Sequence, residues 1–300
     1  MPGKVDAPGG RCKPPIPRMI WNTRRGKLDL TRCAQVMGIL NVTPDSFSDG
    51  GSHAAPDAAL CHARRMIAEG AGLIDIGGES TRPGAEEVLA GDEIARVLPV
   101  LSVLRGEWDG LISIDTSKAV VAAAALAAGA DIVNDVSGLS ADPGMVGVCV
   151  ASGCGVVVMH RQGEPRTMQQ APHYTDVVAE VRGYFAGRME ALVMAGIDPA
   201  ALCFDPGIGF GKSSAHNLAL LSALERLSPP GRPLLLGVSR KSFIAQILGS
   251  DALARRDAAT AVITALARTK GVMLHRVHEV LPNLDALRLT EAVVDRKSER

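Results

Sequence analysis

The sequence predicts an α/β protein folded as a (β/α)8 TIM barrel, a single domain with an N-terminal β-hairpin. Short apolar segments, each a strand candidate, alternate with longer Ala-rich stretches of helical periodicity. Segments that are apolar throughout are typical of parallel strands buried on both faces. Eight such segments match the strand number of a barrel, whereas an open doubly wound sheet usually has about five or six. They are residues 36–40, 73–76, 111–114, 131–133, 155–159, 201–204, 233–237 and 272–275.

The chain before the first barrel strand has two parts. Residues 1–17 are rich in Pro and Gly without periodicity, which predicts a flexible N-terminal extension. Residues 18–32 predict two short strands around a turn at Arg25-Gly26. We expect the barrel domain, with this hairpin, to span residues 18–296. The clearest helix prediction is 176–194, with its cap at Thr175 or Asp176.

Composition and charge favour a small-molecule partner. Lys plus Arg and Asp plus Glu both number 32, so no net basic charge favours binding to nucleic acid or to an anionic membrane. The start of the chain lacks the apolar region of a signal peptide, and the longest Ala-rich run is too short to cross a bilayer. The six cysteines show no C-x-x-C spacing and are expected to be reduced thiols. These observations predict a soluble, cytoplasmic protein.

Polar residues follow most of the predicted strands. They are Asn41, Asp115, Asn134, Asp205 and, slightly further on, Lys241. In a barrel the carboxyl ends of all strands meet at one mouth, so these side chains should form a single site. Carboxylates accept hydrogen bonds while an amide and an ammonium group donate them, a combination suited to a flat, nitrogen-rich heterocycle. Taken singly, Asp115 could instead cap a helix near Thr116, and Asp205 could merely shape a turn before Pro206.

A cationic pair follows the last strand. Arg276 and His278 are two residues apart, so in a continuing strand both would project to the same side, where they would suit a phosphate or diphosphate. The alternative is a surface pair on a loop. Ser239 and Lys241 share this alternation, whereas Arg240 should face away from the pocket or lie at its edge. "DPGIGFGKSSAHN" (205–217) is in the wrong register for a P-loop or a dinucleotide fingerprint, so its glycines predict a tight turn close to a ligand.

Seven motifs, in order and at strand ends, resemble the bacterial dihydropteroate synthases of the pterin-binding family. They are "MGILNVTPDSFSDGG", "DIGGESTRPGA", "SIDTSK", "IVNDVSG", "DPGIGFGK", "VSRKSF" and "RVH". The resemblance implies a (β/α)8 enzyme of folate biosynthesis. Such an enzyme joins 4-aminobenzoate to a dihydropterin carrying a methyl diphosphate and releases diphosphate with the help of Mg2+. It also implies a homodimer formed through helices late in the barrel.

The resemblance assigns expected roles to individual residues. Those that would hold the pterin ring are Asp115, Asn134, Asp205 and Lys241. Those that would hold the diphosphate are Asn41, Arg276 and His278, with Asn41 also meeting the metal. Phe210 and Ser239, with Lys241, would lie near 4-aminobenzoate. Asp115, Asp205, Lys241 and Arg276 are the expected catalytic residues.

Two loops are expected to close over the mouth and exclude water. The first, 41–52, contains Asp45 and Phe47, and the second, 79–90, contains Thr81 and Arg82. Two positions depart from the family pattern, Arg161 where Met is usual and Glu279 where Asp commonly follows "RVH". Neither is an expected ligand.

Two other functions are compatible with a pterin pocket. A pterin-binding methyltransferase domain, acting with a corrinoid partner, would have a similar barrel and ring pocket but needs no diphosphate site. A paralogue that binds pterin without turnover should have lost Asn41, Lys241 or Arg276, and all three are present. The intact motifs for the diphosphate therefore favour the synthase.

Overall fold

The computed structural model describes residues 18–43, 51–80, 87–163 and 167–296, with only the backbone described in helix residues 51–55 and 295–296. The predicted N-terminal extension, 1–17, lies outside this part of the chain. So do Asp45 and Phe47 of the first predicted loop and Thr81 and Arg82 of the second.

The predicted hairpin is present and covers the amino-terminal end of the barrel. Strands β1 (Ile20–Thr23) and β2 (Gly26–Asp29) pair antiparallel. The turn comprises residues 24 and 25, one residue earlier than predicted, because Gly26, at φ +134, already pairs with Thr23. Trp21 is fully buried, and its indole N–H donates to the carbonyl oxygen of Ala201, just before a barrel strand, at 2.7 Å.

The eight predicted parallel strands form the barrel wall. They are β3 (Gln35–Asn41), β4 (Leu73–Gly77), β5 (Leu111–Asp115), β6 (Ile132–Asp135), β7 (Gly155–Met159), β8 (Leu202–Asp205), β9 (Leu235–Leu236) and β10 (Leu274–Val277). Their hydrogen-bonded order is β8-β7-β6-β5-β4-β3-β10-β9. A bridge between Phe204 and Leu234 joins the two ends of this order, so the barrel is closed.

Helices alternate with these strands along the chain. Those in the described part are α1 (Gly51–Ala68), α2 (Ala90–Glu107), α3 (Ala119–Ala127), α4 (Met145–Ser152), α5 (Val177–Met194), α6 (Ser214–Ser222), α7 (Ser242–Leu248), α8 (Leu253–Thr269) and α9 (Val280–Arg296). The predicted cap of α5 is confirmed, since the Asp176 carboxylate accepts from the N–H groups of Val178 and Ala179, both at 3.0 Å. None of the helices in this part of the chain combines the length and apolar character needed to cross a bilayer.

Six strands end further towards the mouth than predicted, and two of them, β6 and β10, do so by two residues. The last strand was predicted at 272–275 but runs from Leu274 to Val277, and β6 continues through Asn134 and Asp135. Polar side chains such as Arg276 therefore lie within strands rather than beyond them. They can do so because they bind one another inside the barrel, which compensates for their burial. The seventh strand is shorter than predicted, only Leu235–Leu236.

Candidate active site

The carboxyl ends of neighbouring strands lie level with one another. The backbone register pairs Asn41 with Gly77, Gly77 with Asp115, and Asp115 with Asn134. Gly77 leaves open space between its neighbours: a Cβ added there would lie 3.8 Å from both Asn41 Oδ1 and Asp115 Oδ2. Three of the predicted site residues are thus brought together by strand pairing alone.

Arg276 connects two buried carboxylates across the barrel. Its Nε donates to Asp75 Oδ2 at 2.6 Å, and its Nη2 donates to Asp115 Oδ2 at 2.7 Å. The amide of Asn134 also donates to Asp75 Oδ2, at 3.0 Å. Burial would lower the pKa of Arg276, but the two carboxylates together raise it above its ordinary value. The guanidinium therefore stays charged.

Asp75 is a site residue that sequence reasoning missed. It lies in the middle of the fully buried strand β4 and is itself 0% exposed. The signal was present in the sequence, because a charged residue inside the otherwise apolar segment "LIDI" requires a buried partner. That partner, Arg276, is 201 residues further along the chain and could not be identified by spacing.

Two carboxylate oxygens in this cluster point to a ligand. Asp75 Oδ1 and Asp115 Oδ1 are buried and accept no hydrogen bond from any residue in the described part of the chain. A buried acceptor without a partner costs roughly 1–3 kcal/mol, so a ligand with N–H donors would relieve a real penalty. Burial is the main influence on the pKa of Asp115; Arg276 lowers it and Asp75 raises it, with a resulting pKa of about 7.

Asp205 ends β8, and its carboxylate both shapes the following turn and lies beside the Arg276 cluster. Its Oδ1 accepts from the N–H of Gly207 at 2.7 Å, which shapes the following turn. Its Oδ2 lies near Gly237, where an added Cβ would be 3.7 Å from that oxygen and 4.0 Å from Arg276 Cβ. Burial raises the pKa of Asp205, and the hydrogen bond from Gly207 opposes this. The turn therefore occupies one carboxylate oxygen, and the other lies on the side of the Arg276 cluster.

Asp115 does not act as a helix cap. The helix that follows it, α3, begins at Ala119, whose N–H donates to Asp142 at 2.8 Å. The side chain of Asp115 binds Arg276 instead. The simpler alternative for this residue is wrong.

Lys241 and Phe210 are in contact at the same end of the barrel. The Lys241 ammonium lies 3.9 Å from the centre of the Phe210 ring, a cation–π contact. Gly209, at φ +82, makes room for this contact, since an added Cβ would lie 3.2 Å from Lys241 Cδ. The predicted neighbours Phe210 and Lys241 are therefore in direct contact.

Ser239 and His278 also meet. Ser239 Oγ lies 2.9 Å from His278 Nδ1 and accepts from the His278 backbone N–H at 3.2 Å. Between Ser239 and Lys241, Arg240 turns away from the pocket, as predicted, and binds Asp257 and Glu279. Glu279, one of the two departures from the family pattern, thus has an ionic partner outside the pocket.

The side chains that the structure describes would offer a divalent cation few ligands. No group of three or more His, Cys, Asp or Glu side chains suited to a metal occurs among the residues that the structure describes. Mg2+ is commonly bound through one or two protein oxygens together with substrate phosphates and water. The half-buried amide of Asn41, at the end of β3, fits that limited role.

Fold and site together define a (β/α)8 enzyme with a charge-paired pocket for a nitrogen-rich ligand at the mouth of the barrel. The sequence profile described as "Pterin binding enzyme" matches residues 37–278. The dihydropteroate synthase of Mycobacterium leprae (strain TN) is 48% identical over 265 residues, which cover 86% of this chain and 93% of that protein. The chain therefore belongs to the pterin-binding enzymes and, within them, to the dihydropteroate synthase family.

Solved structures agree with this assignment. The Xanthomonas albilineans dihydropteroate synthase with 4-aminobenzoic acid is 46% identical with a TM-score of 0.84, and the match covers 89% of this chain and 95% of that one. The same enzyme in complex with 7,8-dihydropteroate gives a TM-score of 0.81 at 44% identity, covering 89% and 96%. The predicted family and the predicted barrel are both confirmed.

Proposed function

We propose that this chain condenses (7,8-dihydropterin-6-yl)methyl diphosphate with 4-aminobenzoate to give 7,8-dihydropteroate and diphosphate. The observation that carries the proposal is the pair of buried acceptors, Asp75 Oδ1 and Asp115 Oδ1, beside the amide of Asn134. A pterin ring has N–H donors and ring acceptors along one edge, which such a set of groups can bind. The solved relatives in complex with 4-aminobenzoic acid and with 7,8-dihydropteroate support the same two substrates.

The leaving diphosphate would be bound next to the ring pocket. Two of the five N–H donors of Arg276 bind Asp75 and Asp115, and the guanidinium has further donors for an anion. His278, with its neighbour Ser239, would extend this donor set, and Asn41 would contribute an oxygen to the metal. Mg2+, when bound, would neutralise part of the diphosphate charge.

The reaction breaks one bond and forms another at the same carbon. The C–O bond between the methylene carbon and diphosphate breaks, and its electron pair leaves with the diphosphate. The amine nitrogen of 4-aminobenzoate then bonds to that carbon and loses a proton. The carboxylates of Asp115 and Asp205 would stabilise positive charge on the ring, and Arg276 would stabilise the leaving anion. No protein nucleophile is needed, because the amine is itself the nucleophile.

The proposal extends to loop closure, assembly and cellular location. Closure of loops 41–52 and 79–90 through Asp45, Phe47, Thr81 and Arg82 concerns residues outside the described ranges. A homodimer through the late helices is supported by exposed apolar side chains on α8 and α9, among them Val262, Leu266 and Leu289. A cytoplasmic location follows from composition only.

A coupled assay tests the function directly. The full chain is incubated with the pterin diphosphate, 4-aminobenzoate and Mg2+, and dihydropteroate and diphosphate are measured together. We expect the two products in equal amounts, and Asp115→Asn should lower kcat/KM by about 100-fold or more because it removes a buried charge from the ring pocket. A folded protein that binds the pterin diphosphate but forms no dihydropteroate would overturn the proposal. Methyl transfer to a corrinoid acceptor would instead support the methyltransferase alternative.

A further inference from the structure

Lys212 is a buried amine whose hydrogen bonds all go to uncharged groups. Burial lowers the pKa of Lys212 to about 7, and the charge of Asp205 opposes this shift. Its side chain belongs to a residue only 3% exposed. The ammonium donates to the carbonyl oxygens of Gly207 and Phe210, each at 3.0 Å, and lies 2.9 Å from His160 Nδ1 and 3.3 Å from the His160 carbonyl oxygen. Lysine is almost never fully buried without an ionic partner, because removing the charge from water is costly. The fold therefore tolerates the free-energy cost of removing this amine from water.

Two of the carbonyl groups that Lys212 binds, those of Gly207 and Phe210, belong to the loop between Asp205 and the start of α6. Gly207, Gly209 and Gly211 all have positive φ, at +62, +82 and +63. A Cβ at Gly207 would clash with the carbonyl oxygen of His160, and one at Gly211 would clash with that of Gln162. The loop is thus folded tightly against the segment that follows β7, and two of its carbonyl groups accept from the Lys212 ammonium.

This loop carries one residue expected at the pterin ring and one expected near 4-aminobenzoate. Asp205 is at its start, and Phe210, whose ring contacts the Lys241 ammonium, is near its end. Lys212 binds the backbone of Phe210 directly and that of Gly207, whose N–H binds Asp205. Displacement of this ammonium would therefore shift Asp205 and Phe210 relative to Lys241.

His160 completes the clamp from the other side. Because the ammonium is a donor, Nδ1 of His160 must be an acceptor, which places the ring proton on Nε2. The ring stands edge-on to Tyr184, with centroids 4.9 Å apart. Burial and the nearby Lys212 charge lower the pKa of His160 to about 3, so the ring stays neutral at physiological pH.

We infer that Lys212, seated on His160, is a positioning residue that fixes the 206–211 loop and thereby the orientation of Phe210 and Asp205 in the ring pocket. The inference rests on the proposed function and refines it, because it assigns a cause to the pocket's geometry. It also explains the Lys of "DPGIGFGK", which binds its own loop rather than a phosphate.

A double-mutant cycle measured by binding tests the inference. The dissociation constant of the pterin diphosphate, without 4-aminobenzoate, is measured for Lys212→Met, Asp205→Asn and the double variant. We expect each single change to weaken binding by about tenfold. The double variant should bind about as weakly as the weaker-binding single variant, because Lys212 acts on the ring through Gly207 and Asp205. Lys212→Met combined with His278→Ala is the matched control and should show multiplied effects. The inference would be overturned if the fold-changes in the dissociation constant multiplied in both cycles, or if Lys212→Met bound the pterin diphosphate as the wild type does.

Amide hydrogen exchange gives a readout that does not depend on the ligand. In Lys212→Met, exchange in residues 207–211 should be faster by about tenfold, while exchange in the hairpin strand β1 should be unchanged. If Lys212→Met does not fold, His160→Leu, which removes one of the ammonium's partners, replaces it in the binding cycle and in the exchange measurement. We expect changes of the same sign in the dissociation constant and in the exchange rate, but smaller ones. Unaltered exchange in the loop would contradict the inference. Failure of the wild-type protein to make product would instead count against the proposed function, since exchange would still report on the clamp.

Discussion

At the scale of single residues, Arg276 is shared between two acids and a proposed anion. Asp75 and Asp115 both bind its guanidinium, so the described cluster has one cation for two carboxylates. An excess of negative charge suits a ring that becomes positive as the diphosphate leaves. Arg276, which is proposed to bind the leaving diphosphate, is therefore also the counterion of the two carboxylates.

Replacing Arg276 with Lys separates these two roles. Arg276→Lys keeps a positive charge beside the carboxylates but loses the planar fork of N–H donors, so binding of a dihydropterin without phosphates should change by less than about threefold. Turnover should fall much further, by about 100-fold in kcat/KM, because the leaving diphosphate loses its bidentate donor. Titration calorimetry and steady-state kinetics measure the two quantities. Equal losses in both would show that Arg276 does not act on the diphosphate.

The sequence could predict which residues meet but not how they pair. Asn41, Asp115, Asn134 and Asp205 lie at the mouth because strand ends converge in any barrel, which requires no side-chain detail. The bond from Arg276 to Asp75 depends on side-chain directions across the barrel interior, for which local sequence carries no information. Asp75 was missed for that reason.

At the scale of elements, the turn from Ser239 to Lys241 is fixed from outside the pocket. Arg240 has a left-handed backbone, at φ +59. Its guanidinium binds Asp257 on α8 at 2.7 and 2.9 Å and Glu279 at 2.7 Å. These ion pairs stabilise a backbone conformation that a non-Gly residue adopts at a cost of roughly 1–2 kcal/mol.

Two substitutions at Arg240 distinguish the ion pairs from the backbone conformation. Arg240→Ala and Arg240→Gly both remove the ion pairs, but only Gly adopts a positive φ without strain. We expect the free energy of unfolding, from urea titration, to be about 1 kcal/mol higher for the Gly variant than for the Ala variant. An Ala variant as stable as the Gly variant would mean that the turn relaxes once Arg240 is removed.

Element boundaries show where local patterns stop being informative. The helix predicted behind Asp176 is observed because its cap and periodicity are local properties. The last strand lies two residues later than predicted, since its pairing with β3 continues through Arg276 and Val277. A charged residue normally indicates a strand end, and here a buried partner on another strand reverses that rule.

At the scale of the whole molecule, a buried histidine makes the stability of the barrel depend on pH. His275 lies within β10 and is 1% exposed, with Nε2 3.3 Å from the carbonyl oxygen of Val272. Its Nδ1 is buried without a hydrogen-bond partner in the described part of the chain. Burial is the main cause that lowers the pKa of His275 from 6.5 to about 4. The folded protein therefore resists protonation where the unfolded chain does not.

The sign of the pH dependence follows from this pKa. Below pH 6.5 the unfolded chain binds a proton at His275 while the folded protein does not, so the stability that the neutral ring contributes falls as pH decreases towards 4. At about 1.4 kcal/mol per pKa unit, the loss is of the order of 3 kcal/mol. Asp115 acts in the opposite sense, because burial raises its pKa and its contribution to stability falls as pH rises. The wild-type profile therefore combines both effects, and a difference between variants is needed to isolate His275.

His275→Leu provides that difference. The free energies of unfolding of the wild type and of the Leu variant are measured by urea titration at pH 7.5 and at pH 4. The wild type should lose about 3 kcal/mol relative to the variant between these pH values, because only the wild type has the titrating ring. His173→Leu, at an exposed position outside the barrel strands, is the comparison variant and should leave the wild-type pH dependence unchanged. If wild type and His275→Leu differed in free energy of unfolding by the same amount at both pH values, protonation of His275 would cost the folded protein no stability.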